Sequence, residues 1–158
     1  MLTQIINGQT LTPQGWLKDG SVLISDGKIL EVTNSDLAVI GAKVVDAKGM
    51  YIVPGFVAMN VHGGGGHDFK ECTEEAFHSA IAAHMKHGAT TLFPTLSSSP
   101  KELICKAVSI CEKLMAEKDG PVLGLHVEGP YLNTKMAGNL YDVKDPDEEE
   151  YRSILEST

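Results

Sequence analysis

The segment HGATTLFPTLSSSPKE, residues His87–Glu102, decides the fold class that the sequence predicts. Gly88 is typical of the position just after a helix, and the apolar, β-branched run ATTLFPTL that follows is typical of a buried strand. SPKE then predicts a new helix, with Ser99 as N-cap, Pro100 at the first helical position and an acid completing a capping box. A buried strand between two helices predicts an α/β architecture.

The same alternation of strand and helix repeats on both sides of this segment. Apolar runs of strand length begin near Val57, Thr90 and Val122, roughly 33 residues apart, which is the size of a βαβ unit. The helix after the first run is predicted to have Thr73 as its N-cap. We therefore expect three parallel strands with helices packed outside, and the near-continuous apolar character of the strands predicts burial on both faces.

Residues 1–53 have a different pattern, with short apolar runs separated by turn signals. The run SVLISDGKILEVT predicts a hairpin around Asp26 and Gly27. We interpret residues 1–53 as a small antiparallel β unit, and residues 54–158 as the first three βα units of a larger fold.

The last residues predict another helix, with Asp145 as N-cap and Pro146 at its first position. Three parallel strands cannot close a barrel, since an eight-stranded barrel takes about 250 residues. We therefore expect the sequence to be the N-terminal piece of a larger barrel protein. The alternative is an intact small three-layer domain with a terminal helix.

Composition narrows the classes of function. The chain has 158 residues, a formal net charge of −8, and neither a long apolar run nor a signal peptide pattern, which argues against nucleic acid and membrane partners. The three cysteines, Cys72, Cys105 and Cys111, form no CxxC pair. We expect reduced thiols in a cytoplasmic protein, with Cys105 and Cys111 as buried small hydrophobes.

Polar side chains follow the predicted strands at the point where each strand ends. Asn60 and His62 end the first strand, and His126 and Glu128 end the third. Residues two apart on a strand face the same way, and ligand sites of parallel α/β folds lie at the carboxyl ends of the strands. Carboxylate and imidazole groups that converge there could bind a divalent metal such as zinc.

Each of these residues also has a simpler interpretation. A histidine at a strand end is often a hydrogen-bonded structural residue, which applies to His62, and His67 fits an ordinary loop position. Glu128 is harder to explain in this way, because a carboxylate at the end of an apolar strand is costly to bury without a cation or donors. The run HGGGG is not a Walker phosphate loop, and its glycines fit a tight turn with close backbone approach to a ligand.

Three stretches together resemble a known enzyme family. They are DAKGMYIVPGFVAMNVHGGGGHDF, HGATTLFPTL and GLHVEGPYLNTKMAGN. These stretches resemble the amidohydrolase superfamily and, within it, the N-acetylglucosamine-6-phosphate deacetylase family. The Pro-Gly-Phe stretch is shared by many amidohydrolases, whereas GLHVEGPYLN is more specific to the deacetylases.

The resemblance implies a metal-dependent hydrolase with a TIM-like (β/α)8 barrel and a small β-sandwich. Its members hydrolyse the acetamide of N-acetylglucosamine 6-phosphate, an amino-sugar phosphate, to glucosamine 6-phosphate and acetate. Glu128 matches the metal-binding glutamate of the family, with zinc as the expected divalent metal. Asn139, with Gly138 before it, matches the position that contacts the sugar, while Leu140 stands where many members carry a polar residue. The resemblance also implies a homodimer for the full-length protein.

The chain departs from the superfamily pattern Asp-x-His-x-His, because Ala58, Asn60 and His62 occupy the three positions. His62 and Asn60 therefore remain weaker candidate metal ligands, and the pattern favours one metal over two. No residue matches the family's catalytic aspartate, which is expected beyond Thr158. We expect the isolated chain to be inactive. The alternatives are another amidohydrolase acting on a cyclic or linear amide, and a truncated non-catalytic fragment.

Overall fold

The computed structural model describes residues 1–34 and 38–157, which separate into two compact units. The first unit runs from Met1 to Pro54, and the second begins at Gly55. The second unit carries all of the predicted site residues.

The first unit is a mixed sheet. Its described strands are β1 (Leu2–Thr12), β2 (Gly15–Ser25), β3 (Lys28–Thr33), β4 (Lys43–Asp46) and β5 (Tyr51–Ile52). The order is β3-β2-β1-β4, and β5 also pairs with β1. The predicted β2–β3 hairpin is confirmed, with positive φ angles of 50° and 77° at Asp26 and Gly27. The prediction of a wholly antiparallel unit is wrong, because β4 and β5 pair with β1 in parallel.

The second unit is a parallel α/β unit. Its described elements are β6 (Phe56–Val61), β7 (Gly63–Gly64), β8 (His67–Asp68), a 3₁₀ turn (Phe69–Glu71), α1 (Glu74–Lys86), β9 (Ala89–Ser97), α2 (Lys101–Met115), β10 (His126–Glu128) and α3 (Glu148–Leu155). The three main strands lie in the order β6-β9-β10 and pair in parallel. Helices α1 and α2 make the two crossovers, so the predicted βα repeat is confirmed for this unit.

The core of the second unit lies between one face of the sheet and its two long helices. Leu92 and Leu96 of β9 are fully buried there, together with Phe77 of α1 and Ile104 of α2. Phe69 packs edge-on against Phe77, with 4.8 Å between the ring centroids. Burying side chains of this size is the main stabilising contribution, since truncating a buried Phe typically costs about 3–5 kcal/mol.

The cysteines divide between core and surface. Cys111 is buried, as predicted, and burial raises the pKa of its thiol to about 12. Cys72 is also buried, with a raised pKa for the same reason. Cys105 is only half-buried, because it lies at the edge of the α2 face that packs on the sheet, so the prediction that it is buried was wrong.

The opposite face of β6 is open. Val57 and Met59 retain 60% and 66% of their exposure, because the described residues place helices on one face of the sheet only. The prediction that the strands are buried on both faces is therefore wrong for β6 in this chain.

The predicted N-cap is correct for α1 and wrong for α2 and α3. Thr73 caps α1 as predicted, accepting a hydrogen bond from the Ala76 amide at 3.2 Å. Ser99 does not cap α2, because its hydroxyl donates to the Ser97 carbonyl at 2.7 Å and Pro100 takes the cap position without a side-chain bond.

Helix α3 starts two residues later than the sequence predicts. Its N-cap is Asp147, whose carboxylate accepts from the Glu150 amide at 3.1 Å. Asp145 and Pro146 therefore precede the cap. No helix among the described residues is long and apolar enough to cross a membrane.

Candidate functional site

Alternation along the parallel strands separates the core residues from the candidate site residues. Leu125 just before β10, Val127 within it and Val61 at the end of β6 pack against the buried core. Because successive side chains on a strand point to opposite faces, His126 and Glu128 lie on the face away from the helices. The polar residues predicted at the strand ends are thus set apart from the apolar core.

His62 and Glu128 come together at the carboxyl ends of β6 and β10. The distance between His62 Nε2 and Glu128 Oε2 is 3.3 Å. The Glu128 side chain as a whole is 33% exposed, but its Oε2 atom is inaccessible and has no hydrogen-bond partner among the described residues. A buried carboxylate oxygen is costly without a hydrogen-bond donor, and its contact with His62 Nε2 does not meet hydrogen-bond geometry, so this atom is a candidate ligand atom.

Asn60 does not take part in this pairing. The register between β6 and β9 shifts between Ala58 and Val61, where Asn60 lies. Its side chain is exposed and makes no hydrogen bond within the described part of the chain. The structure therefore links Glu128 to His62 and shows no such link for Asn60.

A buried hydroxyl beside the site was not found from the sequence. Thr95 Oγ1 accepts a hydrogen bond from the Val61 amide at 2.9 Å, lies 3.3 Å from the Phe93 carbonyl oxygen, and lies 3.2 Å from Nδ1 of His126. A hydroxyl has one proton and two lone pairs. If its proton goes to Phe93, its last lone pair accepts from Nδ1–H, which leaves His126 Nε2 as an acceptor in the neutral ring.

The glycine run forms a short hairpin. Strands β7 and β8 pair around Gly65 and Gly66, whose φ angles of 61° and 89° fit the turn between them. The close approach that the structure shows is to α1, since a Cβ on Gly65 would lie 3.0 Å from the Ser79 carbonyl oxygen. The tight turn is confirmed, and the glycines also let the hairpin rest on α1.

Two other histidines, His67 and His84, have structural contacts. Nδ1 of His67 lies 3.1 Å from Oε2 of Glu71, whose pKa is lowered mainly by a hydrogen bond from the Asp68 amide. Nε2 of His84 lies 2.9 Å from the Gly63 carbonyl oxygen. These contacts explain the positions of His67 and His84, so no bound ligand is needed to explain them.

Gly138 and Asn139 lie in the loop that follows β10. Both are exposed, and Gly138 has a φ of 59°. The loop leaves the sheet at the same edge as His62 and Glu128, because it begins directly after β10. Leu140, in the position where many family members carry a polar residue, is half-buried.

The site brings together one carboxylate and one imidazole, both of which are groups that can bind a metal. No group of three or more His, Cys, Asp or Glu residues able to hold a metal occurs in the described ranges. The same pair could also exchange a proton, since carboxylate and imidazole are both general acid–base groups. Glu128 Oε2 has no hydrogen bond among the described residues, which favours a role as a metal ligand over proton exchange.

Parallel βα units with polar residues gathered at the strand ends define this chain as an α/β protein with its candidate site at the carboxyl edge of the sheet.

Comparison with known proteins gives the particular family. N-acetylglucosamine-6-phosphate deacetylase from Haemophilus influenzae is 32% identical over 137 residues, covering 85% of this chain and 35% of the relative. The Homo sapiens enzyme of the same name is 30% identical, covering 83% of this chain and 32% of the relative.

Comparison with solved structures also matches the chain to N-acetylglucosamine-6-phosphate deacetylases. N-acetyl-D-glucosamine-6-phosphate deacetylase from Mycobacterium smegmatis matches 98% of this chain with a TM-score of 0.81 at 29% identity, covering 44% of that structure. The Pasteurella multocida enzyme matches the fold of 99% of the chain and 42% of its own, with a TM-score of 0.88 at 22% identity. No family profile matches the chain.

The chain is thus a homologue of the N-acetylglucosamine-6-phosphate deacetylases. It spans about a third of the length of the curated relatives it matches. A mutant of the Mycobacterium smegmatis enzyme has been solved in complex with N-acetyl-D-glucosamine-6-phosphate.

Proposed function

We propose that the protein to which this chain contributes hydrolyses the acetamide of N-acetylglucosamine 6-phosphate to glucosamine 6-phosphate and acetate. The observation that carries the proposal is the 3.3 Å contact between His62 Nε2 and Glu128 Oε2, an oxygen with no hydrogen bond among the described residues, at the strand ends of a deacetylase homologue. By sequence resemblance, Glu128 matches the family's metal-binding glutamate.

Glu128 and His62 fit part of a divalent metal site. An inaccessible carboxylate oxygen without a donor and a nearby imidazole nitrogen are the kinds of ligand that zinc takes. When bound, such a metal supplies Lewis-acid activation for amide hydrolysis. A catalytic zinc site usually has three protein ligands, so the proposal requires further ligands from outside these 158 residues.

The chain's own residues supply the first part of the sugar site. Glu128 and His62 would hold the metal, and the loop with Gly138 and Asn139 would contact the sugar. The Asn139 side chain carries both a carbonyl acceptor and an amide donor, which suits sugar hydroxyls. Half-buried Leu140 offers an apolar surface instead of a polar contact.

The wider architecture is part of the same proposal. We infer a TIM-like barrel completed by segments equivalent to the remainder of the relatives, with the small β unit as part of a sandwich. Exposed apolar side chains on β6, such as Val57 and Met59, favour this proposal, because they would face the interior of a completed barrel. We also propose a homodimer, and a cytoplasmic location because the three cysteines are free thiols.

The test uses protein of the relatives' full length. Purified protein is incubated with N-acetylglucosamine 6-phosphate, N-acetylglucosamine, and a panel of cyclic and linear amides, and acetate and free amine are measured. We expect release of both products from the sugar phosphate at a rate well above that with the unphosphorylated sugar. Turnover of another amide alone would instead support a different amidohydrolase, and no turnover in metal-supplemented protein would support a non-catalytic role.

A further inference from the structure

The loop between β10 and α3 closes on itself. It spans residues 129–147, directly after Glu128, and the Lys144 amide donates to the Pro130 carbonyl at 3.0 Å. Two turns lie inside it, closed by bonds from Met136 to Asn133 at 2.8 Å and from Leu140 to Ala137 at 3.0 Å. The second turn contains the predicted sugar-contacting residues.

Ser98, the residue directly after β9, contacts this loop from one side. Ser98 is 1% exposed, and its hydroxyl donates to the Asp142 carbonyl at 3.0 Å. A Cβ on Gly129 would lie 3.2 Å from the Ser98 hydroxyl oxygen, so the start of the loop also packs on this serine. The Lys70 ammonium donates to the Ser98 carbonyl at 2.9 Å, which connects the 3₁₀ turn to the same point.

The first turn of α3 holds the loop from the other side. Glu150 Oε2 accepts from the Tyr131 hydroxyl at 2.8 Å, and Oε1 accepts from the Lys144 ammonium at 2.7 Å. Tyr131 lies near the start of the loop and Lys144 near its end, so one carboxylate joins both. The Tyr131 ring also packs edge-on against Tyr151, with 6.3 Å between centroids.

The protonation states suit this arrangement. Burial, and then the bond to Glu150, raises the pKa of Tyr131 to about 12, so the phenol keeps its proton to donate. Hydrogen bonds from Lys144 and Tyr131 hold the pKa of Glu150 below its usual value. The carboxylate therefore stays charged at neutral pH and accepts both bonds, which are stronger for being charge-assisted.

We propose that Glu150 is a positioning residue for the sugar site, because its carboxylate clamps the two ends of the 129–147 loop and so holds Gly138 and Asn139 in place. This inference rests on the proposed deacetylase function for its substrate. Glu150 acts through Tyr131 and Lys144 and does not itself contact the sugar. None of the residues of α3 is buried, so the clamp can be removed without opening the core.

The decisive variant is Glu150→Ala in protein of full length. We expect KM for N-acetylglucosamine 6-phosphate to rise about tenfold, while kcat stays within roughly threefold and metal content is unchanged, since one charge-assisted network is worth about that factor. Glu150→Gln keeps one of the two acceptor oxygens and loses the charge, so it should restore KM only in part. Glu148→Ala is the matched control, because Glu148 lies in the same turn and its ion pair within the described ranges is with exposed Arg152.

Tyr131→Phe keeps the ring packing and tests the clamp if Glu150→Ala is unstable. Hydrogen exchange of residues 131–143 is measured on the same variants without substrate. Faster exchange with Glu150→Ala and Tyr131→Phe, but not with Glu148→Ala, supports the clamp even if the wild-type protein fails to turn over the sugar phosphate, which would refute the proposed function alone. Unchanged exchange and unchanged KM in both clamp variants would overturn the inference.

Discussion

Nε2 of His62 lies 3.3 Å from Oε2 of Glu128, across the carboxyl ends of the first and last strands of the parallel sheet. The two residues come from opposite edges of the β6-β9-β10 order, so the contact exists only when the sheet has formed. Oε2 has no hydrogen-bond partner there among the described residues. A shared cation would satisfy both atoms, because each offers a lone pair.

Removing one charged ligand should therefore reduce metal binding. We expect Glu128→Gln in full-length protein to lower metal affinity at least roughly tenfold, since a neutral amide is a much weaker zinc ligand than a carboxylate. Metal content after dialysis against a weak chelator measures this. Glu112→Gln, an exposed carboxylate on α2, is the control and should bind metal like the wild type. Equal metal content in the two variants would argue against Glu128 as a ligand.

The sequence predicts the parallel strands, the helices and the polar strand ends because each depends on local pattern. Glu128 was found because a carboxylate ends an apolar run. The clamp on Glu150 was missed, because a tyrosine, a lysine and a glutamate in a polar segment have no distinguishing periodicity. Such contacts depend on which segments of the loop lie close together in the folded chain, and the spacing of residues along the sequence does not show this.

The helix caps show the same limit at shorter range. Ser99 and Asp145 both precede a helix at a plausible distance, but Ser99 donates to Ser97 instead, and Asp147 is the residue that caps α3. Short polar side chains choose among several nearby backbone partners of similar energy. The local pattern therefore predicts the helix, but the observed start differs from the predicted one by one or two residues.

The hydroxyl of Thr95 should be needed for stability. Thr95→Val keeps the shape of this fully buried residue but leaves the part-buried Val61 amide and His126 Nδ1 without this partner. We expect a loss of about 1–3 kcal/mol in the free energy of unfolding, measured by urea denaturation. Thr91→Val is the control on the same strand, and its free energy of unfolding should change little. A Thr95→Val protein as stable as the control would show that the hydroxyl is dispensable.

Two glycines of the HGGGG run should be required for different reasons. A Cβ at Gly63 would lie 2.1 Å from the His67 carbonyl oxygen, whereas one at Gly66 meets no atom within 4 Å. Gly66 has a φ of 89°, which is strained for other residues. We expect Gly63→Ala to lower the free energy of unfolding by about 3 kcal/mol through overpacking, and Gly66→Ala by about 1 kcal/mol through backbone strain. Thermal unfolding compares them, and a larger loss for Gly66→Ala would contradict this assignment.

The loop clamp should weaken in acid. The pKa of Glu150 is lowered from an ordinary value of 4.5, chiefly by hydrogen bonds from Lys144 and Tyr131, with Lys101 adding a smaller favourable charge. A folded-state pKa below the unfolded value means that the stabilisation is fully present above pH 4.5 and is lost as pH falls through the lowered pKa. We expect protection of residues 131–143 from hydrogen exchange, corrected for the intrinsic pH dependence of exchange, to be constant near neutrality and to fall once the pH drops below 4.5.

Glu150→Gln provides the matched test of this pH dependence, because it keeps the side-chain shape and removes the titrating group. Its protection should start lower than that of the wild type at pH 7 and change little on acidification. Other carboxylates still titrate in this variant, so the difference between the two proteins isolates Glu150. If wild type and Glu150→Gln lose protection in parallel as the pH falls, the acid sensitivity of the loop arises from another group, and the charge on Glu150 does not hold it.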